Sequence, residues 1–184
     1  FSRIYATESD PITINLTGGT FSPSTTGETF PITMFSNLNL IGQGEEVTIL
    51  DAEQTSRVIT MESCVNNIIS DLTITGGVAE GINNGISFHG GNDHNGGGMF
   101  IARSNPTLNN MTIASNTSEN KGGGMHLLHS NSTLNNVTIT DNTSTNSLNS
   151  NASDGGGINL SYSNPTLNNV TITNNLVIGD GGGI

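Results

Sequence analysis

The segment "SNPTLNN" at residues 104–110 returns as "SNSTLNN" at 130–136 and as "SNPTLNN" at 163–169. The steps are 130 − 104 = 26 and 163 − 130 = 33 residues. A second marker, "GGG", stands at 96–98, 122–124, 155–157 and 181–183, with steps of 26, 33 and 26. Near-identity of whole units at a fixed period is the signature of a solenoid, in which each unit packs only on its neighbours. The 7 extra residues of the middle step lie between Thr140 and Gly155, in "DNTSTNSLNSNASD". They interrupt no apolar pattern and read as a loop. Weaker copies lie upstream, in "NNIISDLTITGG" at 66–77 and "NLNLIGQG" at 37–44. On this alignment Leu38, Leu72, Met111, Val137 and Val170 head equivalent strands. The step from Leu72 to Met111 is 39 residues, or 26 + 13, and the extra 13 fall within 76–95. The chain thus reads as one domain over 1–184. Residues 1–75 form irregular N-terminal rungs, 96–184 form the regular repeats, and loops are inserted near 76–95 and 141–154.

Inside one repeat the apolar residues alternate, as they do on a strand. Met125 and Leu127 point one way, His126 and Leu128 the other. Leu134, Val137 and Ile139 all point inward, but 134 and 137 are out of phase for one straight strand. The chain must bend at Asn135-Asn136, and Asn accepts left-handed backbone angles better than other non-glycine residues. A second bend falls at "SNS" or "SNP" and a third in the run "DNTS…GGG". Each strand is too short and too one-sided to stand alone. Stacking successive copies pairs each strand with its equivalent about 4.8 Å away. The expected fold is all-β, a right-handed parallel β-helix of about five or six rungs and roughly 25–30 Å. Asn109, Asn135 and Asn168 should form one amide ladder, and Asn110, Asn136 and Asn169 another.

Composition narrows the partners. Four Lys and Arg stand against 15 Asp and Glu, a formal charge of −11. A basic face for nucleic acid is therefore lacking. No run approaches the roughly 20 apolar residues of a membrane span, so membrane insertion is not expected. The single Cys64 forms no intramolecular disulfide and reads as a small buried hydrophobe. A start at Phe1 and a stop at "GGGI" suggest a piece of a longer exported protein.

The pattern resembles the right-handed parallel β-helix repeats of secreted and surface bacterial proteins, within the pectate-lyase-like fold family. Residues 14–52, with "GGTF" and "LIGQGEEVTILD", look like the N-terminal rungs of such proteins. The "GGGI/GGGM" and "NPTLNNVTIT" units resemble repeats of large adhesins and outer-membrane passenger domains. The resemblance implies an extracellular or cell-surface location and a scaffold that hosts lyases, hydrolases, adhesins and ice-binding proteins alike. It also implies ligand clefts between the long-loop corner and the first strand of each rung.

The residues supply no catalytic set. Pectate and pectin lyases need an Arg base, and the arginines here are Arg3, Arg57 and Arg103. Arg103 stands where other repeats carry His129 and Tyr162 and reads as a strand-end residue. "FHGGND" at 88–93 does not match the polygalacturonase motif, and no carboxylate pair recurs on neighbouring rungs. The ligand-face candidates are the outward column Phe100, His126 and Asn159, with His89, Asp93 and His94 from the long insertion. Metal is not expected there. Calcium remains open only through Asp154 and Asp180, which precede GGG runs, and no other cofactor is expected. Thr73, Thr75, Thr112, Thr138, Thr140, Thr171 and Thr173 form an outward Thr array, broken at Ala114. Nine N-x-S/T sequons follow from the Asn/Thr-rich composition.

The function expected from these readings is a non-catalytic structural or adhesive module that binds glycans or cell surfaces. Its open strand edges suit end-to-end self-association into filaments. The alternatives are a polysaccharide lyase or hydrolase with its cleft beside 76–95, and ice binding through the Thr array.

Overall fold

The computed structural model describes residues 6–80, 94–145, 155–178 and 181–184. Among the described residues seventeen strands follow one another in chain order. The early ones are β1 (Ile12–Asn15), β2 (Gly19–Phe21), β3 (Ile32–Thr33), β4 (Leu38–Ile41), β5 (Thr48–Asp51) and β6 (Ile59–Glu62). Next come β7 (Ile68–Thr75), β8 (Val78–Ala79), β9 (Met99–Ala102), β10 (Thr107–Ala114) and β11 (Thr117–Ser118). The last are β12 (Met125–Leu128), β13 (Thr133–Thr140), β14 (Thr143–Ser144), β15 (Ile158–Ser161), β16 (Thr166–Thr173) and β17 (Leu176–Val177).

They stack into a parallel β-helix. The broad sheet runs β1-β4-β7-β10-β13-β16, with β2 and β5 beside this path. A second sheet runs β3-β6-β9-β12-β15 and a narrow third runs β8-β11-β14-β17. Every pairing is parallel and in register with the repeat: Ile113 faces Ile139, which faces Ile172. Along β10 and β13 Leu108, Met111, Ile113, Leu134, Val137 and Ile139 point into the core and are fully enclosed. Met99, Ile101, Met125, Leu127 and Ile158 close it from the second sheet. Short strands with one apolar face are thus made stable by their neighbours above and below.

The corners are left-handed backbone positions stacked in files. Asn110, Asn136 and Asn169 kink the broad-sheet strands at φ 50°, 53° and 52°, where the apolar phase requires a bend. Arg103, His129 and Tyr162 end the second-sheet strands at φ 47°, 50° and 51°. Ser115, Asp141 and Asn174 turn the chain toward the third sheet at φ 56°, 55° and 54°. That sheet is formed by two-residue strands inside what reads, by letters, as a polar corner.

One alignment changes. Leu38 does not head the strand equivalent to Leu72. Leu40 pairs with Ile69 and Ile49 with Thr73, so Thr48 on β5 stands opposite Leu72. Residues 42–47 split into two strands what later rungs make as one kinked strand. Thr143 and Ser144 pair with Thr117 and Ser118 in the unbroken repeat register, within the span between Thr140 and Gly155 expected to hold the extra residues.

The GGG runs divide their work. Gly122 turns the chain at φ 62°, a conformation that suits glycine. Gly123 lies under the third sheet, where a Cβ would overlap the carbonyl oxygens of Thr143 and Gly156. Those are backbone atoms held by the stack and cannot swing aside. Gly123→Ala is expected to cost about 3 kcal/mol, at the upper end for overpacking, and to lower the midpoint of thermal unfolding by roughly 5–10 °C. Far-ultraviolet circular dichroism during heating checks it.

Candidate functional site

Alternation along β6, β9, β12 and β15 turns Thr60, Phe100, His126 and Asn159 away from the core, and the register sets them in one file. The file is not open. Phe100 is 1% exposed, His126 2% and Asn159 7%. The Phe100 and His126 rings stack with centroids 5.7 Å apart and planes 15° apart. The Arg57 guanidinium lies 5.0 Å from the Phe100 ring centroid. Its Nε donates to the carbonyls of Asn95 (3.1 Å) and Gly96 (2.9 Å), and Nη1 donates to Thr60 Oγ1 at 3.4 Å. A cation held over a ring away from water is worth up to about 2 kcal/mol. What alternation marks as a ligand face is therefore a closed guanidinium–phenyl–imidazole stack under the turn at 94–96.

His126 is held neutral in this stack. Burial pushes its pKa down to about 3, with help from the charges of Lys121 and Arg57 and opposition from the Asn159 side chain. Its buried Nδ1 has no hydrogen-bond partner among the described residues. Such an imidazole is not in its imidazolium form near neutral pH and so offers no readily transferred proton there.

His94 stands on the adjoining turn, its Nδ1 2.5 Å from Glu119 Oε2. His89 and Asp93 lie outside the described residues, as do Asp154 and Asp180. Among the described residues no three His, Cys, Asp or Glu side chains gather as a metal site would require.

The Thr array forms files on the broad sheet: Thr73, Thr112, Thr138 and Thr171, and beside them Thr75, Ala114, Thr140 and Thr173. Its early end is hydrogen-bonded to Glu45. Thr73 Oγ1 donates to the Glu45 carbonyl (2.6 Å) and Thr112 Oγ1 to the Glu45 carboxylate (2.9 Å).

Both expected Asn ladders are present. Asn135 Nδ2 donates to Asn109 Oδ1 and Asn168 Nδ2 to Asn135 Oδ1, each at 2.8 Å. The second ladder, Asn110, Asn136 and Asn169, is bonded at 3.0 and 2.9 Å and continues to Asp71 at 2.9 Å. A third was not anticipated and is the most enclosed. Asn116 Nδ2 donates to Asn142 Oδ1, and Asn142 Nδ2 to Asn175 Oδ1, both at 3.0 Å. Asn116 and Asn142 are fully buried. The signal was available, since residues 116, 142 and 175 repeat the 26 and 33 spacing. Ser104, Ser130 and Ser163 form a hydroxyl file, buried at Ser104 and Ser130 and half-buried at Ser163, each Oγ accepting from the backbone N–H of the preceding rung. The rung before Ser104 places Cys64 in that file. Its Sγ bonds the Met34 carbonyl at 3.3 Å, and burial raises its pKa. Cys64 is thus a ladder member as well as a small buried side chain. Burial of Asn116, Asn142 and Asn159 also removes three of the nine sequons as acceptors in the folded chain.

The exposed corner file differs from these. Arg103, His129 and Tyr162 face solvent, and the rings of His129 and Tyr162 stack at 4.8 Å with planes 9° apart. Two residues on, Asn105, Asn131 and Asn164 form an exposed parallel file. A shallow groove of about 440 Å³ lies at its N-terminal end, lined by Glu8, Asn39, Asn66, Asn67 and Asn105 among others. Set against protein-family models, curated proteins and solved structures, the chain matches none of them.

Proposed function

We propose that the chain is a non-catalytic structural and adhesive β-helix module, exported to the cell surface or the medium, that displays its regular faces to extended partners such as glycans. The likeness to secreted and surface proteins of the pectate-lyase-like fold is part of this proposal. One observation carries it. The outward column that the resemblance offers as a cleft is filled by Phe100, His126 and Arg57, and its imidazole is neutral. The stack favours a scaffold over a lyase or hydrolase, because neither a proton donor nor a carboxylate pair stands there among the described residues. The polar side chains bond mostly up and down the stack, which stiffens a rod and leaves its corners for contact.

The test joins two assays. Incubation with pectate, pectin and xylan, with and without calcium, should release no reducing ends or unsaturated products above protein-free controls. The same protein should be retained by immobilised glycans or intact cells, or should lengthen by self-association in sedimentation velocity. Product release that disappears in His126→Asn would overturn the reading. So would a strict monomer retained by nothing.

A further inference from the structure

We infer that the corner file Arg103–His129–Tyr162, with the parallel amide file Asn105–Asn131–Asn164 and the groove that continues it, binds a linear neutral glycan laid along the axis of the solenoid. The inference rests on the adhesive reading and gives it a site and a ligand class.

The backbone here requires a left-handed residue, and Asn or Gly fills such a place at least strain. The chain instead sets Arg, His and Tyr on three successive rungs, at φ 47°, 50° and 51°. Nothing in the corner's geometry calls for those side chains. Tyr162 is 83% exposed, and its ring lies parallel to that of His129. Flat rings offered to water accept the apolar C–H face of a sugar, while hydroxyls need donors close by.

The donors are beside them. Asn131 N–H donates to Asn105 Oδ1 at 2.6 Å, and Asn164 N–H to Asn131 Oδ1 at 2.7 Å. The Asn105 and Asn131 oxygens are thereby used in holding the file, and none of the three Nδ2 groups donates to another described residue. Each rung thus shows solvent one amide donor and one ring or guanidinium. This repeats at about 4.8 Å, close to the length of one sugar in an extended chain. At the N-terminal end Asn105 also lines the groove. There Asn67, 4% exposed, holds a buried Oδ1 that accepts nothing from the described residues.

Charge decides between neutral and acidic glycans. The groove carries the Glu8 carboxylate, and the chain as a whole carries −11. A polyuronate would meet repulsion along its length that Arg103 alone does not offset.

Native affinity electrophoresis tests this in gels containing barley β-glucan, xylan or glucomannan, with polygalacturonate and alginate as acidic arms. Retardation by at least one neutral glycan, insensitive to salt, is expected. The triple variant Arg103→Asn, His129→Asn and Tyr162→Asn should lose roughly tenfold or more in affinity. It should melt no lower than the parent, since Asn suits the backbone. Thr138→Asn, on the broad sheet, should bind as the parent does. No retardation by any neutral glycan, full retardation of the triple variant, or retardation only by polyanions at low salt would each overturn the inference. A triple variant that still binds would move the site elsewhere and leave the adhesive reading intact. A parent that no glycan or cell retains would remove both.

Discussion

Asn142→Ala is expected to cost about 3–5 kcal/mol and to lower the thermal midpoint by roughly 10–15 °C, more than any exposed ladder substitution. The residue holds four bonds with its side chain alone. Oδ1 accepts from the Asn116 N–H and from Asn116 Nδ2, each at 3.0 Å. Nδ2 donates to the Ile113 carbonyl at 2.9 Å and to Asn175 Oδ1 at 3.0 Å. Truncation removes all four bonds: Asn116 Nδ2 keeps the Ile74 and Ala114 carbonyls and Asn175 Oδ1 keeps the Asn142 N–H, but the buried Asn116 N–H loses its acceptor and the Ile113 carbonyl a donor, and a buried orphan costs about 1–3 kcal/mol. A methyl group also leaves a void between the narrow third sheet and the core. The comparison is Asn135→Ala, whose ladder bonds are at least partly exposed to water. Water replaces those partners, so its cost should stay within about 1 kcal/mol. Denaturant unfolding of both variants reads the difference. Equal losses would mean that the interior file contributes no more than the surface files. Because each rung packs on the next, the interior loss should also spread. Amide exchange should rise first in residues 113–118 and 139–144, on either side of the gap.

The sequence carried the stacking but not what covers it. The 26-residue spacing aligned Met111 with Val137 and Val170, and the structure pairs them so. The phase break between Leu134 and Val137 located the kink at Asn136. These features were legible because apolar spacing records which way a side chain points. The interior Asn file was missed because "SNTS" and "DNTS" have the letters of a turn. Only the recurrence of one Asn at the repeat spacing separates a buried ladder from a solvated corner. Leu38 was misaligned for a different reason. An inserted loop preserves the apolar letters on either side and changes which half of the strand they occupy. The candidate face at Phe100 and His126 failed at the same boundary. Alternation places both outside the core, but burial depends on Arg57, which reaches across from an irregular rung with no repeat to announce it. The corner file Arg103, His129 and Tyr162 was noticed as equivalent positions. Its stacking could only be seen once the rungs were laid on each other.

His126 should make the fold sensitive to mild acid. The native imidazole stays neutral down to about pH 3, because burial, then the charges of Lys121 and Arg57, oppose a second positive charge there. The unfolded chain titrates near 6.5. Above that value both states are neutral and the residue adds no pH dependence. Below it the unfolded chain takes up a proton that the native one refuses, so stability falls as pH falls, until the native imidazole also protonates near pH 3. The slope approaches about 1.4 kcal/mol per pH unit, or roughly 2–3 kcal/mol between pH 6.5 and 4.5. That window lies above the range in which carboxylates add their own acid sensitivity. Glu53 is one of these, its pKa lowered by hydrogen bonds from Ser22 and Ser24, and what it contributes is lost only at lower pH. His126→Asn isolates the effect. The next rung already carries Asn159 in the same file, so the place accepts that side chain. The variant loses the stack on Phe100 and should be less stable at pH 7, so slopes rather than absolute values are compared. Denaturant midpoints of the parent should fall from pH 7 to 4.5, and those of the variant should fall by about one proton less. Nuclear magnetic resonance of the parent should show one imidazole whose shifts do not move between pH 8 and 4. Identical slopes in parent and variant, or an imidazole at this position titrating near 6.5, would mean that water reaches the stack and that the column is open after all.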